Sequence, residues 1–188
     1  HLNNNKGSIP PVEIKKIPQH KPESKKPSLS VIISAIEEYE NVKNIKEKIF
    51  FKLPNSLGDQ FSELLNFLSI NKNTHPWFPS VLIGKEYSYA IKFLKELNPS
   101  LLVTENTGIA YEAYKNNIPW IAGPDLNIVN SYSLQALKND FNCSGAYISN
   151  ELKKDQIKQI KKPVDFDLFY SIYHPINLMT SRQCFFHQ

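Results

Sequence analysis

Residues 101–149 read LLVTENTGIAYEAYKNNIPWIAGPDLNIVNSYSLQALKNDFNCSGAYIS, and this stretch decides the fold. Three short apolar runs stand out: Leu101–Thr104, Trp120–Ala122 and Ala146–Ser149. Runs of this length bounded by turn residues fit strands buried on both faces. Between them lie a helical stretch near Gly108–Lys115 and a longer one spanning roughly Asn127 to Phe141. Strand, helix, strand at this spacing is the rhythm of a parallel sheet, because parallel neighbours need a crossover helix.

Working outward, the same grammar continues in both directions. Upstream, Leu29–Ala35 and Ile49–Leu53 read as strands, rich in β-branched and aromatic residues. Leu57, Phe61, Leu64, Leu65 and Leu68 recur at helical spacing. Ser80–Ile83 reads as a further strand, and Tyr87, Ala90, Ile91, Leu94 and Leu97 as the clearest helical stripe. Downstream come a helix over Glu151–Lys161 and a last strand over Leu168–Tyr173. The expected fold is α/β, a parallel βα-repeat sheet, either an open sheet or a partial TIM-like barrel. A complete eight-unit barrel takes about 250 residues, and this chain has 188.

Residues 1–27 differ in kind. Pro10, Pro11, Pro18, Pro22 and Pro27 stand among Lys6, Lys15, Lys16, Lys21, Lys25 and Lys26. Proline lacks an amide donor and resists both helix and central strand. The reading is a disordered, basic Pro/Lys-rich linker at 1–27, followed by one domain at 28–188. The net charge of +4 is mild and could serve RNA contact or a solvated linker. Two cysteines exclude a disulfide framework. The first residues lack the apolar core of a signal peptide, and no apolar run reaches membrane-span length. A cytoplasmic location is expected. The start without Met and the stop just after a cysteine-bearing segment suggest part of a longer polypeptide.

In parallel α/β folds, function gathers at the C-terminal ends of the strands. Those positions hold Glu105 and Asn106, then Gly123, Pro124, Asp125, Asn127, Asn130 and Ser131. Asn150 and Glu151 follow, then His174, Thr180, Ser181, Arg182, Cys184 and His187. Asn127, Asn130, Ser149 and Asn150 also suit helix N-caps. Glu105, Asp125 and Glu151 also suit the first turn of a helix, where the dipole favours acids. There is neither an H-E-x-x-H nor a G-x-S-x-G motif. A Ser131, His174 and Asp125 trio can be drawn, as it can in most proteins of this size. Cys184 with His174 or His187 is a better nucleophile pair. Cys184 and His187 also have metal-ligand spacing, but two ligands do not close a zinc site. Cys143 precedes its strand, at the wrong end, and reads as a core or surface thiol.

Two segments, GPDLNIVNSYSLQAL at 123–137 leading into GAYISNEL at 145–152, and LFYSIYHPINLMTSRQCFFHQ at 168–188, resemble peptidase family U32, the collagenase-like peptidases. The upstream NPSLLVTENTG at 98–108 is similar to the family's preceding strand, and the resemblance spans about residues 76–188. It implies a barrel-like fold. It also implies one of two activities: proteolysis, as the family name says, or hydroxylation chemistry dependent on a [4Fe–4S] cluster held by four cysteines. The wording of 168–188 looks most like long members linked to cytidine hydroxylation in large-subunit ribosomal RNA. By that resemblance Cys184 is a cluster ligand, the only candidate in this chain, and Arg182 an anion contact. Asn127, Asn130, Glu151 and His174 are the expected catalytic or orienting groups. A third reading is a non-catalytic barrel portion that packs on the rest of a longer polypeptide.

Overall fold

The structure, a computed structural model, describes residues 26–173. Seven strands lie side by side in chain order, and every pair is parallel. They are β1 (Val31–Ile33), β2 (Ile49–Lys52), β3 (Thr74–Phe78), β4 (Leu102–Thr104), β5 (Trp120–Ala122), β6 (Gly145–Tyr147) and β7 (Asp167–Phe169). Each crossover carries one helix: α1 (Tyr39–Val42), α2 (Phe61–Ile70), α3 (Lys85–Leu97), α4 (Thr107–Lys115), α5 (Ser131–Phe141) and α6 (Lys154–Gln159). The expected α/β repeat is therefore present, and the units before residue 76 belong to the same sheet.

Alternation along the strands separates two apolar layers, as a period of two requires. Ile49, Phe51, Phe78, Leu102, Trp120 and Ala146 face the helices and pack with Leu64, Phe67, Leu94, Ile109 and Leu134. Phe50, Trp77, Val103, Ile121 and Tyr147 face the other way and form a second cluster with Phe169. In a flat sheet β2 and β7, five strands apart, would be separated by about 24 Å. Instead the rings of Phe50 and Phe169 lie 6.2 Å apart, edge to face. Lys48, just before β2, also reaches Asp167 of β7 at 3.3 Å. The sheet is thus curled into a partial barrel, and the second cluster is its filled interior. Strands β1 and β7 remain as its two edges.

The register differs from the sequence expectation in one strand. The third strand is Thr74–Phe78, not Ser80–Ile83. His75 and Pro76 disguise it, since proline is rarely central in a sheet. Leu53 N donates to Trp77 O, so Trp77 bonds toward β2. Alternate residues of a parallel strand bond to opposite neighbours. Pro76 therefore turns its donorless nitrogen toward β4, below the first pair there, Trp77 with Val103. The helix expected from Asn127 begins only at Ser131. Its first residues are diverted because Ile128 pairs with Ile148 and extends the β5–β6 contact.

Most of the expected linker, residues 1–25, lies outside the described residues, as do residues 174–188. Among the described residues no helix is long and apolar enough to cross a membrane.

Candidate functional site

Because all seven strands run in one direction, their C-terminal ends open onto one rim. The alternation that builds the interior also chooses which residues crown it. Two residues beyond Phe50, Val103, Ile121 and Tyr147 stand Lys52, Glu105, Gly123 and Ser149. Glu105 is the informative one, a carboxylic acid only 8% exposed. Its backbone N–H donates to Phe78 O, which fixes the end of β4 against β3. Burial pushes its carboxyl above the usual carboxylate range, and the nearby Asp125 charge pushes the same way. Lys52, the Trp77 side chain and the Asp125 backbone oppose that shift. The Trp77 indole N–H lies close to the Glu105 carboxyl but finds no partner in hydrogen-bonding geometry. Beneath them Tyr147 is stacked on Phe169, with centroids 5.0 Å apart and planes at 22°. Burial raises the Tyr147 phenol, with Glu105 a further cause, so it stays neutral.

The next residue, Asn106, holds the loops of this rim together. Its side-chain oxygen accepts from Gly108 N at 2.9 Å and Ile109 N at 3.2 Å, capping α4. Its amide nitrogen donates to Ser80 O at 2.9 Å, tying down the loop after β3. Thr104 Oγ1 in turn accepts from Asn106 N at 3.0 Å.

The expected site residues divide. Asn127 is exposed, in the left-handed region at φ 52°, and ends the short turn of helix at Pro124–Leu126. It is not an N-cap. Asn130 is one: its side chain accepts from Ser133 N at 2.9 Å and starts α5. Glu151 is exposed, with its N–H donating to Ser149 Oγ at 3.4 Å. It lies outside the first turn of α6, which begins at Lys154. The Ile128–Ile148 bridge lays the segment with Asn127 and Asn130 alongside the one that leads to Glu151. All three belong to the rim, on the side of β5 and β6. His174, Arg182 and Cys184 lie outside the described residues. Asp125 sits in the first turn of the helix at Pro124–Leu126, as expected of a dipole-favoured acid.

Lys52, Trp77 and Tyr147 were not singled out from the sequence, and Glu105 only as one strand-end group among many. The signal that finds them is their spacing of two from the inward aromatics, which is visible only once the inward face is known.

Cys143 is fully buried at the N-terminal end of β6, its sulfur 3.0 Å from Gly145 O. Burial raises its thiol to about 11. Among the described residues no group of three or more His, Cys, Asp or Glu side chains could hold a metal ion. The described residues thus offer no ligand set for a cluster, and Cys184 would have to be joined by cysteines from elsewhere.

A curled parallel α/β sheet with a polar rim over a filled interior defines an α/β partial barrel. The chain matches Peptidase family U32 over residues 84–188, more than half of its length, and it belongs to that family. The match takes in α3, β4 to β7 and every rim loop from Glu105 onward. No curated protein and no solved structure matches the chain.

Proposed function

We propose that this chain is the C-terminal barrel portion of a cytoplasmic, iron–sulfur-dependent enzyme that hydroxylates a cytidine of large-subunit ribosomal RNA. The observation that carries the reading is the extent of the family match. It runs from the rim loops into the terminal stretch with His174, Arg182 and Cys184; the hydroxylating activity rests on the resemblance of the wording of 168–188 alone. In this reading the substrate meets the rim of β4 to β6. Asn127, Asn130, Glu151 and His174 orient it, beside the buried Glu105. Arg182 meets phosphate, as the +4 net charge favours. Cys184 is the ligand this chain would give to a [4Fe–4S] cluster whose other cysteines come from the remaining polypeptide.

Mass spectrometry of ribosomal RNA from a deletion strain tests this. Loss of one hydroxylated cytidine, restored by the full-length gene but not by its Cys184→Ala variant, is the expected result. Unchanged modification overturns the reading.

The family name favours proteolysis as a second reading. Of the trio drawn from the sequence, Ser131 Oγ accepts from Lys161 N at 2.8 Å, a loop-pinning role. Cleavage of denatured collagen that disappears in the Cys184→Ala variant would favour this reading over the first.

A further inference from the structure

We infer that the cavity at the N-terminal end of β3, opposite the rim, is a binding site for a small oxyanion, a carboxylate or phosphate carried on a short apolar body. The inference goes beyond the proposed function and does not depend on it: the site stands apart from the rim and takes no part in the proposed reaction.

Four observations carry it. First, there is room: the cavity holds about 230 Å³ between the last turns of α2 and α3 and the start of β3. Second, Thr74 lines it, is only 4% exposed, and its Oγ1 has no hydrogen-bond partner among the described residues. The Thr74 backbone N–H is already taken by Asn71 O at 2.9 Å, so the hydroxyl is the group left over. A buried hydroxyl left unpaired is costly, and it points to a partner brought from outside. Third, the charge is one-sided. Lys72 lines the cavity, and none of the described lining residues is acidic. The half-buried His75 lines it too. Burial, and then the nearby Lys48 charge, hold its imidazole below the ordinary value, so it is neutral with one N–H to give. Helix C-termini ordinarily repel anions, but these two are closed. The N–H and Nδ2 of Asn71 both donate to Phe67 O, and Asn98 N–H donates to Leu94 O. Fourth, Leu68, Leu97 and Pro99 make an apolar wall, which a bare ion would leave uncovered. An ammonium would be repelled by Lys72, and a neutral ligand would leave that charge unanswered.

The full chain, labelled at its five histidines, is titrated with butyrate, with propyl phosphate and with neutral butyramide at constant pH and ionic strength. The His75 ring signal is identified by its loss in His75→Gln. The expected result is a saturable shift of that signal with at least one of the two anions, and a rise in unfolding temperature as the site fills. Butyramide, which lacks the charge, should bind about tenfold more weakly. Thr74→Val should weaken anion binding by a similar factor, and without anion it should be no less stable than the wild type, since it removes an unpaired hydroxyl. Thr74→Ser, which keeps the hydroxyl, should retain binding. A response to butyrate alone identifies a carboxylate, and a response to propyl phosphate alone identifies a phosphate ester. A His75 signal unmoved by both anions, butyramide that binds as well as butyrate, or full affinity in Thr74→Val overturns the inference. Because the readout is binding, the site can fall while the RNA reading stands, and the reverse.

Discussion

Gly123 packs directly on Glu105: a Cβ at position 123 would come 2.4 Å from Glu105 Cγ and 3.2 Å from the Thr104 carbonyl oxygen. The backbone there is ordinary, with φ at −75°, so space and not conformation demands glycine. The acid can fold into the barrel mouth only because β5 ends without a side chain.

Gly123→Ala is therefore expected to destabilise the protein by about 1–3 kcal/mol, the usual cost of overpacking. Urea unfolding measures this. A neutral substitution would mean that Glu105 is not confined by β5.

Glu105 also makes a prediction about pH. Burial raises its carboxyl above the ordinary 4.5. The folded state then holds the proton more tightly than the unfolded state, so this group's contribution falls as pH rises from about 4.5 through the folded value. Glu105→Gln removes the cost of burying the charge. The variant should be more stable than the wild type at pH 7, and the difference should vanish below pH 4.5. Unfolding curves at several pH values check it, and a variant less stable at pH 7 would show that the charge is well compensated in the folded protein.

The curl of the sheet predicts coupling between residues 119 positions apart in sequence. Phe50→Ala should cost about 3–5 kcal/mol, since the ring is fully buried. A double-mutant cycle with Phe169→Ala should give a coupling of about 0.5–1.5 kcal/mol, as for edge-to-face pairs. Additive losses would indicate that β2 and β7 do not meet.

Cys143 should be inert in the folded protein, because its thiol is buried and raised to about 11. In a Cys184→Ala variant, a thiol reagent at pH 8 should label nothing until denaturant is added. Rapid labelling of native protein would contradict the placement of β6 and would reopen Cys143 as a ligand.

The helix-facing layer was legible in the sequence because its pattern is local. Leu102, Trp120 and Ala146 sit in apolar runs, and Ala90, Leu94 and Leu97 repeat at helical spacing. Strand β3 was not legible, since His75-Pro76 looks like a breaker and its tolerance depends on where β4 starts. The interior layer was hidden for another reason. Phe50, Trp77, Tyr147 and Phe169 each look like ordinary strand residues, and only the curl brings them together. Glu105 suffered from the same blindness: a strand-end acid reads equally well as a helix-start charge until burial is known. Asn130 shows the converse, a rim residue that the sequence offers equally as a cap, and whose side-chain oxygen does accept from Ser133 N.

The central claim is that the rim around Glu105, and not the opposite end of the barrel, is the working face. Under the proposed function, it is tested most directly by the hydroxylated fraction of ribosomal RNA cytidine in strains carrying Glu105→Leu or Lys72→Ala. Lys72 lines a cavity of about 230 Å³ with Thr74 and His75 at the far end of β3. At equal protein levels, Glu105→Leu should lower the modified fraction at least tenfold, and Lys72→Ala should leave it unchanged. Full modification with Glu105→Leu, or an equal loss with Lys72→Ala, would contradict the account.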